Sequence, residues 1–153
     1  MKSLLLLFVV TCTSLINPGD AFIDPTGTYI LKGNVEKNKI VSHSGEMRVK
    51  LLDHGKLAMC FYINKGYPGY EFISFVDTLL YDDDHFARYK PSPDADCTIL
   101  FLFNNKNAEI QQVYTDPKSG CGFGKDILIS TIFKKFSNER PVIQDLSAHG
   151  STK

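Results

Sequence analysis

The chain has 153 residues, with 17 Lys or Arg balanced by 17 Asp or Glu, so its formal charge is zero with the histidines neutral. The two signs are interspersed, which excludes long-range attraction to nucleic acid or to an anionic membrane as the basis of binding. The length is that of a single domain able to bury a sizeable core.

The first element is Met1-Lys2, the apolar run Leu4 to Val10, and Gly19-Asp20-Ala21 behind a polar stretch. A cation, a short apolar core and small residues at the −3 and −1 positions form the pattern of a secretory signal peptide cut after Ala21. Residues 1–21 are then the signal and Phe22 begins the mature protein, extracellular or periplasmic. The apolar run falls far short of the roughly twenty residues that span a bilayer, and no later segment reaches that length, so no transmembrane segment is expected in the mature chain. Val9-Val10-Thr11-Cys12 also outlines a lipoprotein signal. A lipid anchor through Cys12 is therefore the alternative, although Thr11 stands where Gly, Ala or Ser normally precedes the lipidated cysteine.

From Phe22 onward, short β-branched and aromatic stretches alternate with Gly, Pro, Asn and Asp, the rhythm of an all-β domain. Gly27 to Leu31 is the first expected strand, and Gly33 to Ser44 a polar connection. In Glu46 to Leu51, Met47, Val49 and Leu51 share one face and Glu46, Arg48 and Lys50 the other, which predicts one buried and one wet face. Asp53-His-Gly-Lys56 is a turn in which Gly55 can take positive φ. Lys56 to Ile63 follows, apolar on both faces and so expected to be central or covered. Ser74 to Tyr81, where Phe75, Leu79 and Leu80 would also fit one face of a short helix, His85 to Tyr89, Thr98 to Phe103, Ala108 to Thr115 and Asp126 to Phe136 complete the strands, with Asp82-Asp83-Asp84 a hairpin tip and Lys90 to Asp96 a proline-containing loop. Residues 22–141 form one domain, and 142–153 read as a flexible tail.

About eight antiparallel strands admit a meander barrel or a two-sheet sandwich. Consecutive hairpins favour the barrel, because closure removes exposed edges. In it, Gly27–Leu31 would pair with Ile129–Phe136 and close the sheet.

With Cys12 removed in the signal, Cys60, Cys97 and Cys121 remain. An oxidising compartment favours one disulfide and one unpaired thiol. Cys60 lies in an apolar run and suits a buried thiol. Cys97 and Cys121 sit at segment edges, so they are the expected pair, closing a loop of about 25 residues for roughly 3 kcal/mol.

Gly27-Thr-Tyr29 at the domain opening, Cys97 before an apolar strand, Cys121-Gly-Phe-Gly124 and Phe133-Lys-Lys135 together resemble a set of small secreted bacterial proteins to which no activity is attached. In shape the chain resembles calycin-type barrels, including lipocalins and barrel-form lysozyme inhibitors. Tyr29 stands where the lipocalin opening carries tryptophan, and neither likeness transfers a functional residue.

The candidate chemistry is sparse. Gly120 to Gly124 lacks the spacing of a dinucleotide fingerprint or a P-loop, and suits a glycine-kinked strand. Asp82-Asp83-Asp84 with His85 lacks the ligand alternation of a calcium loop. His43, His54, His85 and His149 are scattered without zinc spacing, and no Gly-x-Ser-x-Gly elbow occurs. Asp94 with Asp96, or Glu36 with Glu46, would be a carboxylate pair only if the fold aimed them at one bond. No metal, cofactor or catalytic residue is assigned. Asn64 to Phe72 differs from a plain connector because Tyr67, Tyr70 and Phe72 put aromatic area into a Gly- and Pro-rich loop. That loop is either a binding surface or a plug over an open barrel end. The expected function is a secreted non-enzymatic binding domain, holding a small apolar ligand or presenting loops to an extracellular protein. An inhibitor or immunity-like protein acting on an extracellular enzyme such as a lysozyme is the alternative, and a secreted hydrolase the third.

Overall fold

A computed structural model of the chain describes residues 22–82, 85–91, 96–114 and 131–146. The signal segment, Cys12, Asp83, Asp84, Asp94, Cys121, the Gly120 to Gly124 motif and His149 lie outside these residues. Ten strands are present among those described: β1 (Gly27–Leu31), β2 (Val35–Glu36), β3 (Lys39–Ile40), β4 (Ser44–Leu52), β5 (Lys56–Asn64), β6 (Phe72–Leu80), β7 (Phe86–Tyr89), β8 (Cys97–Phe103), β9 (Asn107–Tyr114) and β10 (Thr131–Ser137).

Eight of them make one antiparallel sheet in the order β6-β5-β4-β1-β10-β9-β8-β7, while β2 and β3 form a separate hairpin. The sheet curls into a nearly closed barrel, calycin-like in shape, as an all-β meander should. β1 pairs with β10 as expected, Tyr29 opposite Lys135 and Ile30 opposite Lys134. That junction is continuous, and the incomplete closure lies elsewhere. Among the described residues, the ladder between the β6 and β7 sides is reduced to an isolated bridge, Tyr81 to Ala87. β7 pairs along its four residues with β8 but forms no ladder with the nine residues of β6.

Two-residue alternation decides what fills the barrel. Tyr29, Met47, Val49, Met59, Phe61, Ile99, Phe101, Ile110 and Phe133 all point inward and are fully buried. Phe61 is central: its ring centroid lies 5.4 Å from that of Phe75, 5.7 Å from Phe101 and 5.7 Å from Phe133. Small residues fit beside the large ones, with Ala87 opposite Phe101 and Ala108 opposite both Phe103 and Phe133. An eight-stranded barrel is just wide enough for its own side chains, and here they occupy it. Truncating a core phenylalanine to alanine costs about 3–5 kcal/mol, much of the 5–15 kcal/mol by which typical domains are stable.

The two barrel ends differ. Tight turns at 53–55 and 104–106 lie at one end, which the segment before β1 closes. The Tyr29 hydroxyl donates to Pro25 O at 2.8 Å and the Tyr81 hydroxyl to Ile23 O at 2.9 Å, with Phe22 edge-on to Tyr81. Burial, followed by the nearby Asp24 and Asp82 carboxylates, pushes the Tyr81 phenol up to about 12; burial raises Tyr29 too, with smaller contributions from Tyr81 and Asp24. At Gly27, which opens β1 with φ +148°, a Cβ would meet Ser137 O at 2.3 Å, so glycine lets β1 and β10 approach where their register shifts. The longer connections among the described residues, 32–43 and 65–71, lie at the opposite end. The expected polar connection 33–44 contains the β2–β3 hairpin, whose turn residues Lys37 and Asn38 both have positive φ, as a two-residue hairpin turn requires.

Two placements differ from expectation. Cys60 is free and buried as expected, but it faces outward from β5 and is not in the interior cluster. Residues Val142 to Leu146, read in the sequence as the start of a tail, cover this outer face. Val142 O accepts from Arg48 at 3.4 Å, the Ser74 hydroxyl donates to Asp145 at 3.0 Å, and the Gln144 main chain hydrogen-bonds the Cys60 sulfur. Leu146 is 3% exposed. This covering explains why β5 is apolar on both faces. Burial also raises the pKa of the Cys60 thiol, which lowers its thiolate fraction. Leu146→Ser should release the strap and accelerate reaction of Cys60 with a disulfide reagent roughly tenfold while the fold is retained. An unchanged rate would show that the strap does not protect the thiol.

Candidate functional site

The connection between β5 and β6, residues 65–71, stands at the end that carries the long connections and is held by its main chain. Lys65 N–H donates to Glu71 O at 2.8 Å, Tyr70 N–H to Gly66 O at 2.9 Å, and Gly66 N–H to the Asn64 side-chain oxygen at 2.6 Å. The β2–β3 hairpin supports it from one side, with Ile40 O accepting the Tyr67 N–H at 2.7 Å. Gly66 makes that approach possible. Its φ is +85°, and a Cβ there would lie 2.8 Å from both Ile40 O and Ser42 O.

These contacts leave the aromatic rings in solvent. Tyr67, Tyr70 and Phe72 are 46%, 48% and 56% exposed. Tyr67 and Tyr70 meet edge to face with centroids 6.1 Å apart, whereas Phe72 turns to Tyr62 at 5.8 Å. Lys39 Nζ sits 4.0 Å above the Tyr67 ring, a cation–π contact of about 0.5–1 kcal/mol at an exposed site. The rings therefore do not plug the lumen, which is filled by Phe61 and its neighbours. Sequence reasoning named the three aromatic residues but missed Lys39 and Ile40. Asn38 was the available signal, since asparagine tolerates the left-handed conformation needed at a tight hairpin turn.

The remaining candidates separate in space. His43 precedes β4 at the long-connection end and His85 precedes β7 at the tight-turn end; His43 Nε2 and His85 Nδ1 are buried with no hydrogen-bond partner. The Asp82 carboxylate is used locally, accepting the Phe86 N–H at 3.3 Å and lying 3.7 Å from Arg88. Glu46 receives the Arg48 guanidinium instead of facing a second carboxylate. Among the described residues, no three His, Cys, Asp or Glu side chains gather as a metal site. Cys97 is buried at the start of β8, with the Gln112 amide 3.6 Å from its sulfur, while Cys121 lies outside the described residues.

Grooves formed by described residues open on the outside of the barrel. One of about 390 Å³ crosses β1 and β10, with Ile30, Leu31, Ile132 and Phe136 as its apolar lining and Lys32 and Lys134 beside them. A second, of about 320 Å³, shares Ile30 and Leu31 and receives Leu146. Comparison with known proteins finds no family model, curated protein or solved structure that matches the chain.

Proposed function

We propose that the chain is a secreted, non-enzymatic binding domain that recognises an extracellular protein through the aromatic loop at its long-connection end. The observation that carries this reading is a half-exposed aromatic group fixed by main-chain hydrogen bonds above a filled interior. Tyrosine supplies large contact area at low conformational cost, and aromatic anchors of this kind dominate binding energy at protein interfaces. A loop already held in place loses little further entropy when it binds. An extracellular enzyme to be inhibited is one such partner. The likeness to small secreted bacterial proteins agrees with that setting without naming the target.

Secretion and a Cys97–Cys121 staple belong to the same proposal. Cys60 is free and covered, which leaves those two cysteines of the mature chain to pair. A small apolar ligand is accommodated on this account by the outer groove across β1 and β10, because the lumen holds side chains.

In the Tyr67→Ala, Tyr70→Ala protein, binding to a partner recovered from the native extracellular medium should weaken by roughly 30-fold or more, with the melting temperature nearly unchanged. Retained binding together with a large fall in melting temperature would make the two rings a support of the fold and not the binding surface. Mass spectrometry of unreduced peptides from the exported protein should recover Cys97 linked to Cys121, with a chain beginning at Phe22. A crosslink to Cys60 would overturn the pairing, and a retained N-terminus would overturn the signal assignment.

A further inference from the structure

We propose that the seam between β6 and β7 is a strand-addition site. It would take an extended segment of the partner protein that presents a basic residue between apolar ones. This inference rests on the protein-recognition reading and specifies how the partner is engaged.

β6 is paired with β5 along its whole length, from Lys56 opposite Leu80 to Asn64 opposite Phe72. On its other side, among the described residues, ladder contact is limited to the Tyr81 to Ala87 bridge and the adjoining Asp82 N–H to Phe86 O bond of 3.2 Å, both beyond its last residue. Successive residues of an antiparallel strand direct their peptide groups to alternate sides, so about half of those in β6 face the seam. Such an edge is a template for another extended backbone, whose N–H and C=O groups complete the ladder.

Space and charge at the seam suit that occupant. The strands splay around a groove of about 450 Å³, with Asp77, Leu79 and Leu80 on one wall and Arg88 and Lys90 on the other. Tyr89 also lines it, and its ring stacks on that of the buried Phe75 across the seam, centroids 4.0 Å apart and planes 9° from parallel. Asp77 holds an inward position in the alternation that buries Ile73, Phe75 and Leu79, yet it is exposed because the barrel is open there. Its carboxylate accepts the Thr78 N–H at 2.7 Å. An inward charge on an edge strand discourages indiscriminate pairing; across the groove Arg88 is engaged by Asp82 at 3.7 Å, so a strand placing a cation at the inward position beside Asp77 is the one favoured there. The outward row Phe72, Val76 and Leu80 is exposed and offers apolar contact at every fourth residue. Phe72 belongs both to this row and to the aromatic loop, which makes the edge and the loop one continuous surface.

The probe is a blocked synthetic nonapeptide of alternating valine and threonine with a central lysine, followed by amide exchange and chemical shifts in the intact mature protein. Binding should slow exchange of the β6 amides that face the seam. A twin with central glutamate should bind about threefold more weakly, in line with cross-strand charge pairing, and a twin N-methylated at its four central amides should not bind. Asp77→Lys should reverse the charge preference, a result that requires a folded protein and so cannot arise from unfolding. Absence of β6 protection, or equal binding by the methylated twin, overturns strand addition and leaves the loop reading standing. Peptide binding retained in the Tyr67→Ala, Tyr70→Ala protein supports the edge as a site in its own right and assigns any lost partner capture to the loop.

Discussion

The packing of Phe61 against Phe75, Phe101 and Phe133 is the contact on which the rest of the molecule depends. It joins β5 to β6, β8 and β10, so strands far apart in sequence meet through a single side chain. Because the barrel is narrow, satisfying this contact consumes the lumen. Ala87 and Ala108 are small where Phe101, Phe103 and Phe133 are large, the accommodation expected of a close-packed interior. A molecule built this way has its outer grooves, loops and open edge available for recognition.

Those outer features are unevenly distributed. The tight-turn end is closed by hydrogen bonds from Tyr29 and Tyr81 to the segment that begins at Phe22. The end with long connections carries the aromatic loop and the hairpin that supports it. Along one side, Val142 to Leu146 seal the outer face of β4, β5 and β6 and cover Cys60. Along another, the seam leaves β6 without a second ladder partner among the described residues. The proposed recognition surface joins the loop to this edge and borders the strap where Ser74 of β6 bonds Asp145.

Much of the fold was legible because side-chain alternation is a local property. Met47, Val49 and Leu51 against Glu46, Arg48 and Lys50 fixed the faces of β4, and Gly27 to Leu31 matched β1 at both ends. Its pairing with β10 was also foreseeable, since a meander brings its first and last strands together. The seam was not, because the splay between β6 and β7 beside Asp77 is a tertiary feature that leaves the alternation of both strands unchanged. Cys60 illustrates the same limit. Its apolar neighbourhood indicated burial correctly, but period two alone cannot show that a strap eighty residues later covers an outward position. The aromatic loop was legible in composition, while its support by Ile40 and Lys39 required a hairpin of two-residue strands too short to show periodicity.

The central claim is that the lumen is filled and recognition is external. Isotope-filtered NMR of the methyl-labelled protein with dodecanoate tests it most directly. Any contacts between protein methyls and the alkyl chain should fall on outward residues such as Ile132, with none to the buried Ile63, Ile99 or Ile110. Cross-peaks from the alkyl chain to those interior methyls would contradict it.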